Sequence, residues 1–108
     1  VPEPSEFGYP SEDSVHLTYA HASVAGKTSC GAQYSPRAER AMTDLGLWYA
    51  RHFANLLAEL DAVPEGDGTL LDHTLVVWLT ALATPTHQHE DAFTLVAGNT
   101  RGALATGR

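Results

Sequence analysis

Apolar side chains recur at steps of three and four residues, at Ala38, Ala41, Met42, Leu45, Trp48, Tyr49, Phe53, Leu56, Leu57 and Leu60. That spacing gathers them on one face of an α-helix and on neither face of a strand. A helix with one long apolar stripe must bury it against another layer, so the remaining residues have to supply that layer. Ser35 stands where an N-cap belongs, and Pro36 occupies the first helical position, where its missing N–H costs nothing. Pro64 and the Gly66-Asp67-Gly68 turn close the segment.

Two short apolar runs follow, Thr74-Leu75-Val76-Val77-Trp78-Leu79 and Phe93-Thr94-Leu95-Val96-Ala97. Runs of this length, rich in Val, Thr and aromatics, fit buried strands of an α/β sheet. Upstream, Val15, Leu17 and Tyr19 alternate with His16 and Thr18, the period of a half-buried strand over residues 14–19. Residues 20–34 are small and polar with two glycines and read as loop. Residues 1–13, with Pro2, Pro4, Pro10 and three Glu, read as an extended lead-in without a core, and residues 100–108 carry no pattern. The fold expected is α/β, a partial layered sheet with one main helix, in which residues 14–108 form a single domain or the C-terminal part of one. Such a sheet needs helices on both faces, so the chain reads as a fragment of a larger domain or as one member of an assembly.

Charge excludes several roles. Six Lys and Arg stand against 13 Asp and Glu, a formal net charge of −7, and no basic stripe exists to neutralise a phosphate backbone. Nucleic acid and anionic membrane surfaces are therefore not expected as partners. A hydrophobic content of 44% is that of a chain able to bury a core, yet no apolar stretch approaches the roughly 20 residues that span a bilayer. One cysteine, Cys30, forms no disulfide within the chain, and only Lys27 stands near it in sequence to activate a thiolate. The chain begins at Val1 with no signal-like segment, as expected after processing or truncation.

The segment with most chemical potential is Thr84-Pro85-Thr86-His87-Gln88-His89-Glu90-Asp91, between the two apolar runs. Ligands of α/β sheets sit beyond the strand carboxyl ends, and here two His and two acidic residues fall within five positions. His87 and His89 can reach one ion if the backbone turns favourably, with Glu90, Asp91 or His21 completing three or four ligands. The alternative is a solvated, hydrogen-bonded loop. His16 and His21 approach the same loop if the first strand lies beside the others, or else bond to backbone. Asp72 is expected to cap a turn, His73 to be exposed, and His52 to serve packing or surface roles at the edge of the helical stripe.

From Phe53 onward, Phe53-Ala54-Asn55-Leu56-Leu57-Ala58-Glu59-Leu60 and Pro64-Glu65-Gly66-Asp67-Gly68-Thr69-Leu70-Leu71-Asp72-His73-Thr74-Leu75-Val76-Val77 resemble the C-terminal part of bacterial DUF1552 and DUF1501 proteins, themselves similar to the alkaline phosphatase and sulfatase superfamily. The likeness continues through His87-Gln88-His89, Leu95-Val96-Ala97-Gly98 and Thr106-Gly107-Arg108, and more loosely back to His16 and His21. It implies an exported, periplasmic or extracellular protein with divalent metal held at the strand ends beside a phosphate or sulfate ester. With the ligands read from the loop, His87, His89, Asp91 and His21, the metal would be zinc, calcium or magnesium. Two departures stand out. Leu79-Thr80-Ala81-Leu82 has no carboxylate where sulfatases place an Asp-His metal pair, and no segment matches the one that bears the nucleophile. The chain is thus expected to be inactive alone, as the C-terminal portion of a longer metal-dependent hydrolase-like protein. The alternative is a non-catalytic structural or binding subunit packed against another chain.

Overall fold

The computed structural model describes residues 2–104 and 106. The architecture is mixed α/β. One long helix, α1 (Pro36–Asp61), is accompanied by two two-stranded antiparallel sheets, one of β1 (Pro64–Glu65) and β2 (Gly68–Thr69), the other of β3 (Leu75–Leu79) and β4 (Thr94–Gly98). The chain divides into two compact units. One holds the described residues up to Trp48 with Ala81–Ala92, and the other Tyr49–Thr80 with the described residues from Phe93 onward.

In the first unit the core is small. Tyr19, Ala22, Ala38 and Ala41 are buried, with Tyr9, Ala32 and Met42 packed against them. Small residues at 38 and 41 let the two tyrosines approach the start of α1, and their rings tilt together at 5.4 Å. The Arg37 guanidinium lies over both rings, 5.9 Å from Tyr9 and 5.8 Å from Tyr19, and donates to Asp13 at 2.7 Å. The Tyr9 hydroxyl donates to Asp44 at 2.7 Å. Residues expected as an extended lead-in therefore join the core: Pro4–Phe7 forms a 3-10 turn, Pro2 and Pro4 are buried, and Tyr9 packs.

A second correction falls at residues 14–19. The alternation there does not make a strand; Val15–Tyr19 is a π-helical turn running into a 3-10 turn, Ala20–Ala22. Ser14 decides the outcome. Its hydroxyl accepts the Leu17 N–H at 3.1 Å and its carbonyl the Thr18 N–H at 2.8 Å, while its own N–H donates to Thr18 Oγ1 at 3.1 Å. This is the N-cap chemistry by which a serine starts a helix.

The second unit carries the latter half of α1 and both hairpins. In the larger sheet Leu75 faces Gly98, Val77 faces Val96 and Leu79 faces Thr94. Val76 and Trp78 turn inward, and Trp78 packs between Phe53 at 5.5 Å and Phe93 at 5.0 Å. Leu75, Val77 and Leu79 face outward and are exposed. The two strands expected to be buried are open to solvent: exposed and half-buried residues alternate in β3, and Thr94, Leu95 and Val96 of β4 are exposed. They are also antiparallel. The reason lies in their connection: a parallel pair needs a crossover, usually helical, and residues 80–93 contain no helix.

Asp72 caps the turn before β3 as expected, accepting the Thr69 N–H at 2.8 Å and the Thr69 hydroxyl at 3.1 Å. The Thr69 backbone bond, then its hydroxyl bond, hold the Asp72 carboxyl below its ordinary value. A depressed folded-state value stabilises the turn above the ordinary carboxylate range and is lost as pH falls through the lowered one. Acid titration followed by NMR is therefore expected to shift the Thr69 amide together with the Asp72 carboxyl, and Asp72→Asn to remove that transition.

Gly46 lies exposed within α1 with nothing within 4 Å of an added Cβ. Gly46→Ala is expected to raise stability by about 0.5–1 kcal/mol through helix propensity, read as a higher denaturation midpoint.

Candidate metal centre

Three imidazoles converge in the first unit. His16 comes from the π turn, His21 from the following 3-10 turn and His87 from the loop after β3, and one nitrogen from each lies within 4.8 Å of the others. The first pair meets where the π turn runs directly into the 3-10 turn. The His16 and His21 rings lie 4.5 Å apart, with their Nε2 atoms at 2.8 Å. His87 meets the His21 ring edge-on at 4.9 Å.

His87 is delivered by a turn. Pro85 sits second in Thr84-Pro85-Thr86-His87, the position its ring favours, and the His87 N–H closes the turn on the Thr84 carbonyl at 3.0 Å. The Gln88 N–H donates to Thr84 Oγ1 at 3.1 Å. His87 adopts φ +61, a left-handed conformation in which histidine is enriched among non-glycine residues.

Behind the cluster, His21 is held firmly. It is 2% exposed, and its Nδ1 lies 2.9 Å from the Pro85 carbonyl and 2.7 Å from Ser29 Oγ. Ser29 also donates to that carbonyl. With its proton on Nδ1 donated to Pro85, His21 turns the Nε2 lone pair toward its two neighbours. A metal-ligating histidine usually bonds to backbone through its other nitrogen in the same way. Tetrahedral bonds of about 2.0–2.1 Å place ligand nitrogens roughly 3.3 Å apart; the His16 and His21 nitrogens at 2.8 Å, and all three within 4.8 Å, lie either side of that spacing.

Of the residues read from sequence as metal ligands, the structure brings His21 and His87 together and adds His16. His89 and Asp91 are exposed and stand outside this group, with Asp91 at φ +59. Glu90 is taken by Lys27 at 2.9 Å, a bond that, with the Glu90 charge behind it, pushes the Lys27 ammonium upward. His52 lies exposed on α1, and Cys30 is an exposed free thiol. His73 is more covered than expected, pairing with Glu65 at 2.6 Å and reaching Asp67 at 3.7 Å. Ser29, which shares the Pro85 carbonyl with His21, carries no signal in the sequence. His16 and His21, read from sequence as approaching the same loop or bonding to backbone, lie against each other and beside His87.

A hollow of about 200 Å³ opens at the three histidines and is walled also by Ala20, Met42, Leu82 and Pro85. A larger one, about 610 Å³, lies in the second unit beside Asp72, His73, Asn99 and Arg101. Its Asp72 and His73 are engaged with Thr69 and Glu65, so size does not mark it as the chemical site. Compared with protein-family models, curated proteins and solved structures, the chain matches none.

Proposed function

We propose that this chain supplies a divalent-metal centre, built of His16, His21 and His87, to an exported metal-dependent hydrolase of the phosphatase and sulfatase kind, of which it is the C-terminal portion. The observation that carries this reading is the three-imidazole cluster with its buried, backbone-tethered His21. Resemblance to DUF1552 and DUF1501 proteins supports the class. Zinc suits the donor set, since imidazole nitrogen is among its ordinary ligands, whereas calcium and magnesium prefer oxygen and none of the three residues offers it. A bound ion polarises an ester oxygen and stabilises charge that develops on it. The role of this chain's residues is to hold that ion: His21 through its fixed tautomer, His16 and His87 by closing from the exposed side. The nucleophile would come from polypeptide beyond this sequence. In the natural protein containing this chain, His87→Ala is expected to abolish zinc-dependent hydrolysis of sulfate monoesters while the fold persists; unchanged turnover would contradict the assignment.

A second reading is favoured by a different observation. Leu75, Val77 and Leu79 present an exposed apolar row on β3, with Leu79 58% accessible, and two-stranded units are marginal in water without cover. On this reading the chain is a structural or binding subunit that packs against another chain or the remainder of its own parent. Among the described residues no helix is long and apolar enough to cross a membrane. Native mass measurement separates the cases: an obligate partner predicts self-association or aggregation of the isolated chain, and a folded monomer of 11.6 kDa excludes it.

A further inference from the structure

The hollow beside the histidines has an unusual lining for a site expected to meet anions. Apart from the imidazoles its walls are chiefly apolar, formed by Ala20, Met42, Leu82 and Ala83. None of its lining residues is Lys or Arg. Its two hydroxyl residues are already engaged: Ser23 donates to the Ala20 carbonyl at 3.1 Å, and Thr84 lies 2.9 Å from the Thr86 hydroxyl and accepts the Gln88 N–H. The nearby cation, Lys27, is paired with Glu90.

Resting on the metal reading above, we infer that the centre keeps an open coordination position and takes there a small monoanionic oxygen ligand carrying a short alkyl arm. Three neutral imidazoles leave the full charge of the ion to attract one anionic oxygen. A second negative charge would have to be desolvated against aliphatic walls with no donor to receive it, which is costly. An apolar arm gains from the same walls. The hollow is small, about 200 Å³, so the arm it accepts is a short one. The ligand class is therefore a short-chain carboxylate or an alkyl sulfate monoester rather than a phosphate monoester dianion. Binding is simple exchange: the anionic oxygen replaces a metal-bound water, and no covalent bond within the ligand is altered.

Cobalt(II), which adopts similar coordination and absorbs visibly, makes the exchange observable. The cobalt-loaded chain is titrated with butyrate, acetate and inorganic phosphate. Butyrate is expected to perturb the visible bands about tenfold more tightly than acetate, the gain for two buried methylenes, and more tightly than phosphate. Leu82→Gln, which changes a wall and none of the three ligands, should erase the preference for butyrate while cobalt uptake persists. Equal affinity for butyrate and acetate, tighter phosphate binding, or a preference that survives Leu82→Gln overturns the ligand class and leaves the metal centre standing. A chain that takes up no cobalt overturns both.

Discussion

Replacing His87 or His16 by Ala is expected to weaken zinc binding by well over the roughly 10–100-fold typical of losing an outer-shell partner, whereas His89→Ala leaves it unchanged. The contrast follows from geometry. His16 and His87 each place a nitrogen within 4.8 Å of the other two ligand atoms, and His89, two residues along the same loop, is not a member of the group. Both targeted side chains are exposed, so their removal leaves the small core of Tyr19, Ala22, Ala38 and Ala41 intact. Calorimetric titration of the variants, with circular dichroism to confirm the fold, checks this. Equal losses for His87 and His89 would place the ligands in the loop as a whole.

The second large effect concerns the β3–β4 hairpin. Gly98 closes the register opposite Leu75 at φ +95, and a Cβ there would lie 2.0 Å from the Thr74 carbonyl oxygen and 3.1 Å from that of Leu71. Main chain cannot step aside as a flexible side chain can. Gly98→Ala is therefore expected to cost about 3–5 kcal/mol, combining a left-handed backbone forced on an alanine with hard overlap. Gly102 provides the control. It also has positive φ, +81, but nothing lies within 4 Å of its added Cβ, so Gly102→Ala should cost only about 1–2 kcal/mol. Thermal unfolding read alongside amide exchange of residues in β3 and β4 distinguishes the two, and equal costs would mean that conformation alone, not the Thr74 contact, determines the requirement for glycine.

The helix was legible in the sequence because its signals agree: a sustained apolar stripe, a proline at its first position and a Pro-Gly exit describe the observed Pro36–Asp61. The two apolar runs were legible as strands, but their direction was not. Pairing depends on the connection, and nothing in the composition of residues 80–93 declares that they return antiparallel until the absence of a crossover helix is taken into account. Residues 14–19 misled because three apolar positions at alternate sites satisfy a strand as well as they satisfy a helical turn; the capping serine was the discriminating signal.

The metal cluster was half-visible for the same reason. His21 and His87 belong to segments already marked as loop, where histidine attracts attention. His16 was read as approaching the His87 loop with His21 from a strand, but was not counted among the ligands. With Val15–Tyr19 a π turn that continues into the 3-10 turn Ala20–Ala22, the His16 and His21 rings lie 4.5 Å apart. Choosing His87 over His89 needed the left-handed backbone that completes the Pro85 turn, a feature of conformation rather than of residue type.

X-ray absorption spectroscopy of the chain dialysed against zinc tests the metal centre most directly. One zinc per chain is expected, held by three imidazole nitrogens at about 2.0–2.1 Å. No zinc above background, or a shell dominated by carboxylate oxygen with fewer than three imidazoles, would contradict it.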